Sequence, residues 1–163
     1  MGTTKQIPRT SRLEVEVAAP VHAVWQVLAD VTRTGEWSHE CQRVAWLDGA
    51  TSASYGARFR GGNKVLAFRW SRTNEIIELE PDHVIAWRTV PSWRFPDSTE
   101  WRFTLDASTV GTRITQTYEV VHAPAWWDWL MARLVPPHRD RSAALSADLH
   151  RIGEVARDTT GPA

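Results

Sequence analysis

Apolar and polar residues alternate strictly from Leu13 to Val17, with Glu14 and Glu16 set between Leu13, Val15 and Val17. That period of two is the mark of a half-buried strand. The period then changes. Val21, Val24, Trp25 and Leu28 stand three and four residues apart, which places one apolar stripe on a short helix. Pro20 suits the first turn of that helix, where a missing N–H costs nothing. Asp30 and Thr32 end it or cap the next turn, and Gly35 is expected to close a second short helix. Trp37 follows, a ring that the helical period does not require.

Six further strands are predicted from there on. Residues 41–48 form the first, ended by Asp48-Gly49 and the turn-forming stretch 52–56. Residues 57–60 begin the next, and Gly61-Gly62-Asn63 is expected to turn it into a hairpin. A long strand at 68–79 sets Phe68, Trp70 and Ile76 on one face. Pro81-Asp82 turns the chain into a strand at 83–90, and Pro91 and Pro96 bound a loop that carries Trp93. At 99–106, Trp101, Phe103 and Leu105 alternate with Glu100, Arg102 and Thr104. After Val110-Gly111, the last strand at 112–121 aligns Ile114, Tyr118 and Val120.

Strands in such close succession make an antiparallel sheet, one face of which needs a cover. The remaining segment supplies it. Trp126, Trp127, Trp129, Leu130 and Leu134 are its apolar start, Pro136-Pro137 break the helix, and Leu145, Leu149, Ile152 and Ala156 resume helical spacing. The expected fold is α+β in the order β-α-α-β6-α: a seven-stranded curved antiparallel sheet with a long, broken C-terminal helix laid across it. The domain is expected to span 11–157, with flexible termini at 1–10 and 158–163.

The run from Ala19 to Asp30 (A-P-x-x-x-V-W-x-x-L-x-D) carries a resemblance to a known family. So do Glu36-Trp37-Ser38 with Glu40-Cys41, Gly56-Ala57-Arg58-Phe59, Glu80-Pro81 and Trp101-Arg102-Phe103. Together they resemble the START-like (SRPBCC) superfamily, in its polyketide cyclase/dehydrase branch. The resemblance implies the helix-grip (START/Bet v 1-like) fold and a ligand cavity between sheet and helix. It supplies no fixed catalytic signature to map onto this chain.

Composition narrows the picture. Lys and Arg balance Asp and Glu, 19 against 19, which speaks against a nucleic-acid binder. No run of about eighteen apolar residues marks a membrane span. The first residues lack the apolar core of a signal peptide, and a lone cysteine fits a reducing compartment, so a cytoplasmic location is expected. Ten Trp in 163 residues is a strong excess. It fits a core filled by large rings or an aromatic-walled pocket, and a cavity wall is a core with one side empty.

Candidate chemistry is sparse. His39-Glu40-Cys41 lacks the spacing of a metal site, and neither a nucleotide cradle nor a nucleophile elbow is present, so neither metal nor cofactor is expected. Parity on the long strand puts Arg72 and Asn74 with Trp70 and Ile76; an inward Arg must be paired or meet a ligand, whereas an outward one is solvated. Phe59 and Asn63 share a face, as do Gln116 and Tyr118. The predicted cavity lining is therefore Trp37, Phe59, Asn63, Trp70, Asn74, Ile76, Trp101, Phe103, Gln116 and Tyr118, with Trp126 and Trp127 from the covering segment. That segment either forms a lid over the cavity mouth or packs on the sheet edge. His39, Arg72 and Tyr118 are the candidates for proton transfer. The Arg-rich stretch 138–141 is expected to pair with Asp140 or with acids on the sheet.

Three functions follow. The first is a binder of an apolar aromatic, polyketide or lipid-like small molecule. The second is an aromatase/cyclase-type enzyme acting on a polyketide-like substrate. The third is an interaction module whose Trp126–Trp129 segment meets a protein, a membrane or a second copy of the chain as a homodimer.

Overall fold

A computed structural model describes residues 7–135 and 140–161. Seven strands form one antiparallel sheet: β1 (Thr10–Val17), β2 (Cys41–Trp46), β3 (Arg58–Val65), β4 (Phe68–Glu80), β5 (Val84–Thr89), β6 (Ser98–Ala107) and β7 (Thr112–His122). Their spatial order is β1-β7-β6-β5-β4-β3-β2, so β1 and β2 are the edges. Between them the chain forms α1 (Val21–Ala29), a 3-10 turn (Val31–Arg33) and α2 (Thr34–Trp37). The cover is in two pieces, α3 (Ala125–Leu134) and α4 (Ser142–Thr160). The expected break at Pro136-Pro137 lies outside the described residues, as do His138 and Arg139. No helix among the described residues is long and apolar enough to cross a membrane.

Local chemistry accounts for the helix starts. Pro20 and Pro124 both stand in extended conformation just before a helix, and their carbonyls accept from Val24 N (3.2 Å) and Trp127 N (2.9 Å). Asp30 caps the 3-10 turn by accepting from Thr32 N at 3.1 Å. Gly35 does not close α2 but sits within it. A Cβ there would stand 2.4 Å from the carbonyl oxygen of Gln42, so the small residue lets α2 lie against β2.

The Gly61-Gly62-Asn63 hairpin is corrected too. Those residues are the middle of β3, with Gly61 opposite Arg72 and Asn63 opposite Trp70. The turn is Leu66-Ala67, with Leu66 at φ 54°, between the paired Val65 and Phe68. A Cβ on Gly61 would stand 3.3 Å from Cys41 Sγ, so the glycine accommodates the edge strand rather than a bend. In β4 an irregularity between Ile76 and Glu78 reverses the alternation and brings Leu79 against the core. At the other end α4 continues past the expected boundary at 157 to Thr160.

The core gathers under α1 and α4. Val24, Val27 and Leu28 meet Leu149, Ile152 and Ala156 over Ile76, Ile85, Phe103, Leu105 and Ile114. From there a row of rings crosses the sheet: Trp46, Phe59, Trp87, Phe103 and Trp37, with successive centroids 5.9, 5.7, 5.3 and 6.0 Å apart. Each such pair adds about 0.5–1.5 kcal/mol beyond the area it buries. The convex face carries ion pairs instead, among them Arg113 with Glu14 and Glu16, Arg88 with Glu100, Arg102 with Glu78 and Arg58 with Glu75. These exposed pairs contribute at most ~1 kcal/mol each.

Helix α4 reaches the sheet because Gly153 faces Val17. A Cβ on Gly153 would lie 2.5 Å from the Val17 Cβ, an atom that no rotamer change can move. Gly153→Ala is therefore expected to destabilise by about 1–3 kcal/mol, since overpacking outweighs the ~1 kcal/mol gain in helix propensity. Urea denaturation checks this, and adding Val17→Ala to the same chain, which removes the two methyl groups but keeps the Cβ, should recover only part of the loss.

Candidate functional site

Beyond the ring row the sheet and its cover do not meet, and a cavity of about 230 Å³ remains between them. Strands β3 to β7 supply its floor from their inward positions: Phe59, Gly61 and Asn63; Trp70, Arg72 and Asn74; Trp87 and Thr89; Trp101 and Phe103; Gln116 and Tyr118. Trp127 and Met131 of α3 and Leu145 and Asp148 of α4 form the roof, with Trp37 and His39 at the side.

Ten of the twelve predicted lining residues border this space: Trp37, Phe59, Asn63, Trp70, Asn74, Trp101, Phe103, Gln116, Tyr118 and Trp127. Two do not. Ile76 is fully buried in the core, because α1 and α4 fill the sheet at that level. Trp126 is 60% exposed. Adjacent helical residues point about 100° apart, so when Trp127 turns inward, edge-on to Phe95 at 5.6 Å, Trp126 turns out.

Arg72, which parity left either lining the cavity or solvated beyond its edge, lines it, and its charge is met within the chain. Its Nη1 donates to both carboxylate oxygens of Asp97 at 3.0 Å, its Nη2 donates to the Asp97 carbonyl at 2.9 Å, and the guanidinium lies 5.3 Å from the Phe95 ring centre. Tyr118 donates its hydroxyl to the Pro8 carbonyl at 3.2 Å, and burial raises its pKa. Arg141 pairs with Glu40 at 3.0 Å and lies 5.2 Å over the Trp101 ring, so the acid it meets precedes β2.

His39 has a partner that the sequence did not suggest. Its Nδ1 stands 2.6 Å from Oδ2 of Asp148, and its backbone N–H donates to Oδ1 at 2.9 Å. Asp148 is 2% exposed and also accepts from Arg151, which in turn donates Nε to the Trp37 carbonyl at 2.8 Å. A carboxylate facing Nδ1 accepts, so Nδ1 carries the proton. Nε2 lies 3.8 Å from Glu40 Oε2. The missed signal was in α4: Asp148 interrupts the apolar stripe of Leu145, Leu149 and Ile152 at an inward position. Thr89, Trp87 and Asp97 were also missed as lining residues, although β5 and β6 were placed.

The lone cysteine, Cys41, borders the same cavity, and burial pushes its thiol up to about 11. Raised above its unfolded value of 9.0, it favours the fold below that pH and loses the contribution as pH rises to about 11. Stability is therefore expected to fall more steeply from pH 9 to 11 in the wild type than in Cys41→Ala. Denaturant midpoints across that range measure the difference.

A family model described as polyketide cyclase/dehydrase and lipid transport matches residues 8–147. No curated relative matches the sequence. Among solved structures, the chain is similar to the Zhui aromatase/cyclase of Streptomyces sp. R1128 (TM-score 0.69, 21% identity, covering 93% of this chain and 95% of that one). It is also similar to a protein of Thermus thermophilus (0.68, 15%, 93% and 99%). A third is a polyketide-cyclase-like protein of Corynebacterium glutamicum (0.55, 23%, 93% and 91%). At these identities the likeness establishes the helix-grip fold.

Proposed function

The chain belongs to the polyketide cyclase/dehydrase and lipid transport family, and from that premise we propose that it binds a compact aromatic or polyketide-derived molecule in the cavity under α3 and α4. The observation that carries this reading is the cavity itself, walled by Trp37, Phe59, Trp70, Trp87, Trp101, Phe103 and Trp127. Apolar walls with a few placed polar groups are what small-molecule sites have in common. Volume sets the size. An apolar cavity of ~150 Å³ takes benzene, so about 230 Å³ suits roughly two fused rings rather than a long acyl chain. Asn63, Asn74, Thr89 and Gln116 offer hydrogen bonds around the ligand's edge.

A second reading, catalysis, is favoured by the His39–Asp148 contact at 2.6 Å. A carboxylate that fixes the imidazole tautomer leaves Nε2 to take a proton from the carbon between two carbonyl groups of a poly-keto chain. The resulting enolate attacks a second carbonyl of that chain, and the imidazolium returns the proton to the new alkoxide. In this reading His39 is the base and Asp148 positions it. Arg72, neutralised by Asp97, keeps the role of a donor at the cavity wall.

Titration of intrinsic Trp fluorescence with 2-naphthol, and with palmitate for comparison, tests the binding reading. Saturable quenching by the naphthol at micromolar concentration is expected, with little response to palmitate. Thr99 on β6 also borders the cavity, and Thr99→Trp, which places a ring there, should abolish the quenching while the chain still folds. No quenching by any fused-ring compound would overturn the proposal. The catalytic reading predicts that His39→Gln keeps naphthol affinity but lowers the rate of cyclisation of a poly-keto thioester by about 10²–10⁴. Equal rates in the two proteins would remove it.

A further inference from the structure

Beside the cavity the surface opens into a second groove, bounded by the β3–β4 hairpin, the loop 90–97 and α3. Trp70, Trp127 and Met131 border both spaces, so the groove adjoins the cavity wall. Its charge is one-sided. Arg60, Arg69 and Arg94 line it and form no ion pair among the described residues, whereas Arg58 and Arg72 are matched by Glu75 and Asp97. Asp48 is the acidic side chain at the groove, and Asp128 on α3 is held by Arg9 at 2.5 Å.

The rim is apolar. Trp93, 89% exposed, and Leu134 line the groove, and Trp126 (60%) and Trp129 (59%) stand exposed on α3, the helix that bounds it. Two of these rings carry an arginine: Arg94 lies 5.2 Å over Trp93 and Arg133 5.8 Å over Trp129. Large exposed rings are costly in water. A guanidinium stacked on an exposed indole is the arrangement that lets a ring enter the acyl boundary while the charge stays at the headgroups.

We propose that this groove and its rim dock the chain on an anionic membrane surface. Arg60, Arg69 and Arg94 meet the lipid phosphates, and Trp93, Trp126 and Trp129 enter the interface. The zero net charge of the chain gives no general attraction to anionic lipid, so docking is confined to the end where the unpaired arginines lie. An acidic protein would answer the arginines but leave the rim of Trp and Leu without an apolar partner. The placement next to the cavity lets an apolar ligand pass between bilayer and cavity without crossing bulk water.

Co-sedimentation of the full chain with vesicles tests this. The vesicles are phosphatidylcholine alone or phosphatidylcholine mixed with phosphatidylglycerol, and brominated phosphatidylcholine reports ring insertion by quenching Trp fluorescence. Binding to the mixed vesicles only, weakened by salt and accompanied by bromine quenching, is expected. Arg69→Gln/Arg94→Gln should weaken it on the order of thirtyfold, the loss of two basic contacts. Trp126→Ala/Trp129→Ala should leave only the quenching that Trp93 contributes. None of these four residues borders the cavity, so 2-naphthol titration of the same variants reports folding and the cavity reading separately. No binding to mixed vesicles overturns the proposal, as does binding that both double variants retain. Salt-sensitive capture of an acidic protein, with no response to vesicles, would also overturn it in favour of a protein partner.

Discussion

The structure turns on a row of rings. Trp46, Phe59, Trp87, Phe103 and Trp37 meet one another across the sheet from β2 to α2, and they have different neighbours on their two sides. One side is the filled core under α1 and α4; the other, for all but Trp46, is open cavity. An interior normally closes around such rings because voids forfeit dispersion contacts. Here the large, stiff side chains hold each other in place, so the space beyond them stays open without help from the cover. That is a physical reason for so many Trp in a small domain: the same rings end the core and begin the site.

Asp148 is the second element on which the site depends. A nearly fully buried carboxylate is costly unless its oxygens are satisfied. This one accepts from the His39 backbone, the His39 ring and Arg151, and Arg151 reaches on to the Trp37 carbonyl. The network joins α4 to the junction of α2 and β2, where no backbone ladder runs. Position of the cover and orientation of His39 are thus set by one side chain, and a change at Asp148 alters both.

Much of this was legible in the sequence. Strict alternation in β1, β6 and β7 and the helical spacing of α1 and α4 each follow from burial of one face, a local rule that a local pattern reveals. The same parity placed Trp70, Gln116 and Tyr118 inward and left Arg72 open between cavity and solvent. What escaped was non-local. Gly61-Gly62-Asn63 has the composition of a turn, yet it is strand because Cys41 on β2 needs the room. Gly35 looked like a helix end, and it is small because of Gln42. Ile76 kept the right parity but lies too far along β4, under helices whose reach no pattern gives. The partners of His39 and Arg72 are 109 and 25 residues away. Only Asp148 left a trace, as a charge in an apolar stripe.

The ion pairs of the convex face bear on how the molecule meets its surroundings. Arg12, Arg113, Glu14, Glu16, Arg88, Glu100, Arg102 and Glu78 neutralise one another strand by strand. Beyond a Debye length of about 8–10 Å such short dipoles cancel. The balanced total therefore does not describe an even surface. What survives at a distance is the field of charges left without partners, and three of these, Arg60, Arg69 and Arg94, lie together at one end. An approaching anion or anionic surface turns the protein before touching it, so that the end beside the cavity comes to face the source.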